Sequence, residues 1–211
     1  MLVPMPDRLP GLRERKKADT RRALSDAALN LAFERGLDNV TRDDIASLAG
    51  VSLRTFNNYF SGKYEALAYR QTERVRRSVA ALRQRPADEP LWTAITHAVL
   101  EPLEEDFGDI YGDENRAPSR QELVEVRKLV MHPQVRNSVP QNLFDELLQV
   151  IAERTGTDPD HDLYPRLVMA VARAVGDAAA DTYVRADPPV AITALICSGF
   201  AAVSAGLPEP S

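Results

Sequence analysis

One cysteine, Cys197, in 211 residues excludes a disulfide framework and any zinc site built from several thiolates. No apolar run approaches the roughly 18 residues that a membrane-spanning helix needs. The stretch Met1 to Arg15 has no apolar core ahead of its charges, which predicts no secretory signal and a cytoplasmic protein. Glycine-rich nucleotide loops (G-x-G-x-x-G or Walker type) and the G-x-S-x-G nucleophile turn are missing. His97, His132 and His161 lie far apart and lack H-E-x-x-H spacing, so each reads as a surface or internally satisfied histidine. No catalytic or metal-ligating constellation is left, and the expectation is a protein that is not an enzyme and carries no cofactor or metal. Apolar/polar alternation is absent too. Glycine is limited to 10 residues while Ala, Leu, Arg and Glu abound, which predicts an all-α fold. A hydrophobic content of 44% with 27% charged residues argues against disorder. The length allows one or two domains.

The formal net charge of −5 conceals a division. Residues 1–85 hold 17 Lys and Arg against 10 Asp and Glu, a net +7, while residues 86–211 carry 9 against 21, a net −12. Such asymmetry suggests that the basic part meets a polyanion.

Leu24, Ala27, Ala28, Leu31 and Ala32 follow the 3.6-residue period of a helix running from about Asp19 to Arg35, ended by Gly36. Thr41 with Asp44 forms a capping-box pattern that opens a short helix, which Gly50 stops. Ser52 then caps a second short helix, with Phe56 and Phe60 inward and Leu53, Arg54, Asn57 and Asn58 on other faces. Lys63 opens a longer helix that reaches about Arg85. Two short helices joined through a glycine turn make a helix-turn-helix. Arginine can bond guanine O6 and N7, and asparagine can bond adenine N6 and N7, so the second helix has base-reading chemistry. Thr41 and Ser52 sit at helix N-termini, where a phosphate is favoured. Lys63 opposes its own helix dipole, at a local cost of about 0.3–1 kcal/mol that a bound DNA phosphate would reverse. A flexible solvated lysine is the alternative. The basic run Arg13 to Lys17, with Arg21 and Arg22, adds phosphate-seeking charge.

The segment from Thr41 to Lys63 resembles the DNA-binding signature of the TetR family of transcriptional regulators. The matching residues are Thr41, Ile45-Ala46, Ala49-Gly50-Val51-Ser52, Thr55, Tyr59-Phe60 and Lys63, with Leu67 beyond, and the likeness covers about residues 17–67. The family's frequent leucine-tyrosine pair is replaced by Phe56-Asn57, so no operator sequence carries over. The resemblance implies phosphate contacts from Thr41, Tyr59 and Lys63 and base approach by Arg54, Thr55 and Asn57, with Ser52 and Asn58 completing the candidate set. It also implies a layout. An arm at 1–15 precedes a three-helix DNA-binding domain at 16–62, a connecting helix at 63–85, and a larger ligand-binding and dimerisation domain at 86–211.

In that larger part, helices are predicted at about 90–107, 119–131, 139–155, 162–184 and 189–206. The last two are rich in alanine and, by the same resemblance, pair two subunits in a four-helix bundle. A homodimer also suits a helix-turn-helix that spans two half-sites. The family encloses an effector pocket here. Its candidate lining is Trp92, Ile95, Leu103, Phe107, Tyr111, Leu123, Met131, Phe144 and Met169, with Arg127 or Arg173 as polar anchors. Each of these suits a plain apolar core better than a ligand contact, because apolar helix faces need no ligand. The layout is also similar to a subgroup associated with acyl-coenzyme A-like ligands, so an apolar or amphipathic effector is expected. Six carboxylates between Glu104 and Glu114 lack calcium-loop spacing and read as a solvated acidic loop. Asp158, Asp160 and Asp162 read as caps for the helix that follows, and Cys197 as a buried, inert thiol. The expectation is thus a TetR-like repressor that binds a near-palindromic duplex operator and is released by a small molecule. The alternative is a helical small-molecule-binding or scaffold protein that does not bind DNA.

Overall fold

The computed structural model describes residues 11–110, 124–125, 128–129, 131–187 and 190–209, and for 107–110 the backbone alone. All regular structure among the described residues is helical. The chain divides into two compact units at Arg70/Gln71, within a helix, rather than at the 62/63 and 85/86 boundaries read from the sequence.

In the first unit, α1 spans Leu12–Arg35, a 3₁₀ turn spans Leu37–Asn39, α2 spans Arg42–Leu48, and α3 spans Leu53–Tyr59. Helix α4, Lys63–Gln84, begins here and continues into the second unit. Helix α1 starts seven residues before the predicted Asp19, so Arg13 to Lys17 form exposed helical turns and not part of a flexible arm. Arg, Lys and Glu are good helix formers and extend the helix past the last apolar residue of the stripe. The stripe itself is buried as predicted: Leu24, Ala27, Ala28, Leu31 and Ala32 are all within 5% exposure and share a core with Ile45, Ala46, Phe56 and Phe60. Phe60 stands with its ring centroid 5.9 Å from that of Phe56 and 5.7 Å edge-on from that of Tyr69, a geometry that aromatic quadrupoles favour.

The turn between α2 and α3 is closed by Val51 N–H donating to Ala46 O at 2.9 Å. Gly50 sits there at φ +69°, in the left-handed region that a side chain would strain.

The second unit holds the rest of α4, then α5 (Leu91–Ile110), α6 (Pro133–Asn137), α7 (Gln141–Thr155), α8 (Leu163–Arg185) and α9 (Ile192–Ser204). Its core joins Val79, Leu82, Ile95, Leu103, Val150, Ile151, Val168, Val175, Ile196 and Phe200. Helix α5 runs three residues past its predicted end at Phe107, into the expected loop. The short α6 was not foreseen: His132 caps it by accepting from Gln134 N–H, with Pro133 as its first residue. Of the helix predicted at 119–131, the described residues 124–125, 128–129 and 131 are helical.

Three charged clusters brace this unit. Asp106, 3% exposed, accepts from Arg74 Nε at 2.9 Å and from Arg77 Nη2, joining α5 to α4. Arg154 of α7 donates to the carbonyls of Arg85 (2.9 Å) and Pro86 (2.8 Å), fixing the turn before α5. Glu89 accepts from Arg85 Nε at 2.7 Å and shares a bond with His97 Nδ1 at 3.0 Å. Helices α8 and α9 pack closely at Gly199, where a Cβ would fall 2.7 Å from Val175 Cγ1. Leu163, Tyr164, Leu167, Ala170, Ala174 and Ala178 on α8, and Ala194, Cys197, Ser198 and Ala201 on α9, are exposed in the single chain. Cys197 is therefore not buried as predicted: the core face of α9 is centred on the buried Ile196 and Phe200, and Cys197 lies about 100° round from Ile196. Among the described residues no helix is long and apolar enough to cross a membrane.

Candidate nucleic-acid interface

The reading surface starts with how α2 and α3 are capped. Thr41 Oγ1 accepts from Asp44 N–H at 3.2 Å, and Asp44 Oδ2 accepts from Thr41 N–H at 3.1 Å, which completes the predicted capping box. The Thr41 hydroxyl also donates to Asp44 Oδ2 at 2.5 Å. These bonds from Thr41, side chain first and backbone second, hold the Asp44 carboxyl below its ordinary range. Ser52 Oγ accepts from Thr55 N–H at 3.1 Å and shares a hydroxyl bond with Thr55 Oγ1 at 2.9 Å. Both short helices are thus terminated by their own side chains, and the hydroxyls of Thr41, Ser52 and Thr55 are engaged in doing so.

Phe56 is fully buried beneath α3, and Phe60 is 3% exposed just past its end. The outer surface carries Arg54, Asn57 and Asn58, all exposed, with Tyr59 half-buried beside them. Arg54 and Asn58 have no side-chain partner among the described residues. Asn57 does: its Oδ1 accepts from Arg42 Nη1 of α2 at 3.3 Å. Arg42 escaped sequence reasoning. It stands next to the cap Thr41, but its partner lies 15 positions away, and no spacing rule links them.

The structure assigns Lys63 work within its own chain. Its ammonium donates to the carbonyls of Val40 (3.0 Å), Leu37 (3.1 Å) and Asp38 (3.4 Å). Two short bonds and one long, exposed one thus tie the ammonium to its own chain in this arrangement. The adverse position at a helix start is offset locally by Glu65, whose Oε2 accepts from Ser61 N–H and Oγ, each at 2.7 Å. Neither the phosphate reading nor the solvated-lysine reading anticipated these bonds.

The effector candidates among the described residues fall into two groups. Ile95 and Leu103 are core residues, 4% exposed each. Met169 packs partly buried against that core. Trp92 stacks on Phe200 with ring centroids 6.1 Å apart. Met131 is 37% exposed. The Phe107 side chain and residues Tyr111, Leu123 and Arg127 lie outside the described residues. Phe144 and Arg173 come together apart from that core: the guanidinium lies 5.3 Å from the ring centroid, and both line an open cleft of about 390 Å³ beside Arg136, Ser138 and Gln141. Apolar periodicity marks which face is inward; it does not separate a cavity wall from a filled core.

Two readings of acidic residues change. Asp106 is buried against two arginines and is no part of a solvated loop, although Asp109, Asp113 and Glu114 lie outside the described side chains. Burial opposes its ionisation, but the bonds and charges of Arg77 and Arg74 prevail and lower its pKa. Asp158 and Asp162 brace the loop before α8 rather than capping that helix: Asp158 Oδ1 accepts from Asp160 N–H at 2.8 Å, and Asp162 Oδ2 from Asp158 N–H at 2.7 Å. Among the described residues no cluster suited to a metal ion occurs.

A capped pair of short helices presenting Arg54, Asn57 and Asn58, joined to a separate helical unit, defines a helix-turn-helix DNA-reading protein. The family model described as bacterial regulatory proteins, tetR family, matches residues 24–68, and the one described as MftR C-terminal domain matches residues 126–208. The HTH-type transcriptional regulator TcmR of Streptomyces glaucescens is 33% identical over 183 residues, covering 84% of this chain and 79% of TcmR. The chain belongs to the TetR family of transcriptional regulators. Among solved structures, the fatty acid degradation regulator FadR of Bacillus halodurans aligns with a TM-score of 0.58 at 19% identity, over 90% of this chain and 97% of that one. Thermus thermophilus FadR, solved with lauroyl-CoA, aligns at 0.52 and 18% identity, over 90% and 96%. These two share the fold.

Proposed function

We propose that this chain is a cytoplasmic, homodimeric repressor that binds a near-palindromic operator and leaves it when a small apolar or amphipathic molecule binds its larger unit. The observation that carries the proposal is the outer face of α3, where Arg54 and Asn58, without a side-chain partner among the described residues, stand exposed on a capped helix beside Asn57. Exposed arginine and asparagine on a fixed helix supply the donor and acceptor chemistry that reads major-groove edges. Tyr59 and the basic first turns of α1 supply the backbone-directed groups.

Dimerisation is supported by the apolar faces left open on α8 and α9, where Leu163 is 75% and Leu167 51% exposed. Isolated exposed leucines are ordinary, but a stripe continued by Ala170, Ala174 and Ala178 lets a second helix approach closely. A two-fold dimer would set its α3 helices into half-sites about 34–36 Å apart. Support for an amphipathic effector comes from the structural neighbour solved with lauroyl-CoA. Release requires a coupling of about 1–3 kcal/mol between the effector and DNA sites.

Selection from a random duplex library at moderate salt tests the reading, followed by affinity against salt for the recovered site. An inverted repeat bound with a steep salt dependence is the expected result. Failure to enrich any sequence, with or without cell extract as an effector source, would overturn it in favour of a helical ligand-binding or scaffold protein.

A further inference from the structure

We infer that Arg42 is a positioning and specificity-determining residue: by engaging Asn57 Oδ1 it biases Asn57 toward its donor role, so that the half-site carries guanine, not adenine, opposite this pair. The inference rests on α3 being the DNA-reading helix.

Arginine has five N–H donors and no acceptor, so the contact between Arg42 Nη1 and Asn57 at 3.3 Å fixes which way the amide faces. Oδ1 must lie toward Arg42, and Nδ2 diverges from it. The backbone of Arg42 is well held. It is the first residue of α2, behind the Thr41–Asp44 capping box, and Ala46 of the same helix anchors the turn into α3 through its carbonyl. No carboxylate competes for its guanidinium among the described residues, because Asp44 is occupied by Thr41 and lies 3.7 Å from Arg35. Arg42 and Asn57 are both exposed.

Free asparagine favours adenine because Oδ1 accepts from N6 while Nδ2 donates to N7. With Oδ1 engaged by a cation, the accepting half of that pair is weakened. The two side chains then present Asn57 Nδ2–H and the outer N–H groups of Arg42 as donors, while the second lone pair of Oδ1, beside a cation, is left a weakened acceptor. Guanine offers two acceptors side by side, O6 and N7, and matches them. Cytosine offers the N4 donor and is rejected.

The test uses the full-length protein and the inverted repeat recovered by selection, with every single base-pair substitution of one half-site competed against the parent. Wild type is expected to favour guanine over adenine about ten-fold at one base pair per half-site. Asn57→Ala erases that preference. Arg42→Ala releases Oδ1 and moves the preference at the same base pair toward adenine, and Arg42→Ala/Asn57→Ala behaves like Asn57→Ala alone. Arg42→Lys, which keeps a donating cation, retains guanine. The two exposed substitutions are checked for folding by circular dichroism. If Arg42→Ala weakens all sequences alike, or its effects simply add to those of Asn57→Ala, Arg42 is a phosphate contact and the inference is overturned. If wild type recovers no preferred site, the DNA-reading assignment of α3 falls and this inference falls with it.

Discussion

Replacing Lys63 by methionine keeps the aliphatic stem and deletes the ammonium, and it separates two roles that a DNA-binding lysine can play. Two of its three carbonyl contacts, at 3.0 and 3.1 Å, are part-buried, and the third, at 3.4 Å, is exposed and weak. A hydrogen bond to a charged group contributes about 1.5–3 kcal/mol, but withdrawing the ammonium from water offsets part of any sum over three. We therefore expect a loss of about 1.5–3 kcal/mol, close to one strong bond, because the carbonyls of Leu37 and Val40 lose their partner. The penalty falls on the first unit, where Trp92 cannot report it. Amide hydrogen exchange across residues 24–60 is the suitable assay, and roughly ten- to hundred-fold faster exchange is expected. In parallel, the dependence of DNA affinity on salt should keep its slope, since each lost phosphate contact would flatten log K against log salt by about 0.9. Unchanged exchange with a slope flatter by about 0.9 would refute the reasoning and return Lys63 to the phosphate backbone.

Other outcomes follow from the second unit. Asp106→Asn should cost about 2–4 kcal/mol in urea unfolding, because it strips the carboxylate from a nearly buried site facing two arginines, while Glu105→Gln, which alters an exposed partner of Arg77, should cost under about 0.5 kcal/mol. Equal costs for the two would be the wrong result. Arg85 first, and His97 to a smaller extent, lower the Glu89 pKa from 4.5 to about 2 against the opposing effect of burial. The carboxyl therefore contributes stability above about pH 4.5 that is lost as pH falls toward 2, and Glu89→Gln should show a shallower acid loss between pH 4.5 and 2 than wild type. Leu167→Glu on the open face of α8 should convert the dimer to monomer in sedimentation without loss of helix content, and a persistent dimer would place the interface elsewhere.

Much of the reading module was legible because its signals are local. The Thr41–Asp44 box, the Ser52 cap, the glycine turn and the inward Phe56 and Phe60 all act within about one turn of helix, so spacing alone reveals them. The start of α1 was misjudged because the apolar stripe ends before the helix does. Cys197 reads as buried because its neighbours in sequence are apolar, whereas the core-facing side of that helix is Ile192, Leu195, Ile196, Phe200 and Val203 and leaves Cys197 exposed. The effector candidates were the least legible, since a residue lining a cavity and one filling a core share the same periodicity.

The sequence by itself determined the helical class, the order of the longer described helices, the caps of α2 and α3, and the exposed Arg54, Asn57 and Asn58. Each depends on residues three or four positions apart along a helix of fixed pitch. Tertiary structure decided which polar groups are engaged. Lys63 reaches Leu37 across 26 positions, Arg42 reaches Asn57 across 15, and Arg77 reaches Asp106 across 29. Charged side chains carry no mark of a distant partner, and burial turns an ordinary aspartate such as Asp106 into a brace only once two helices have packed.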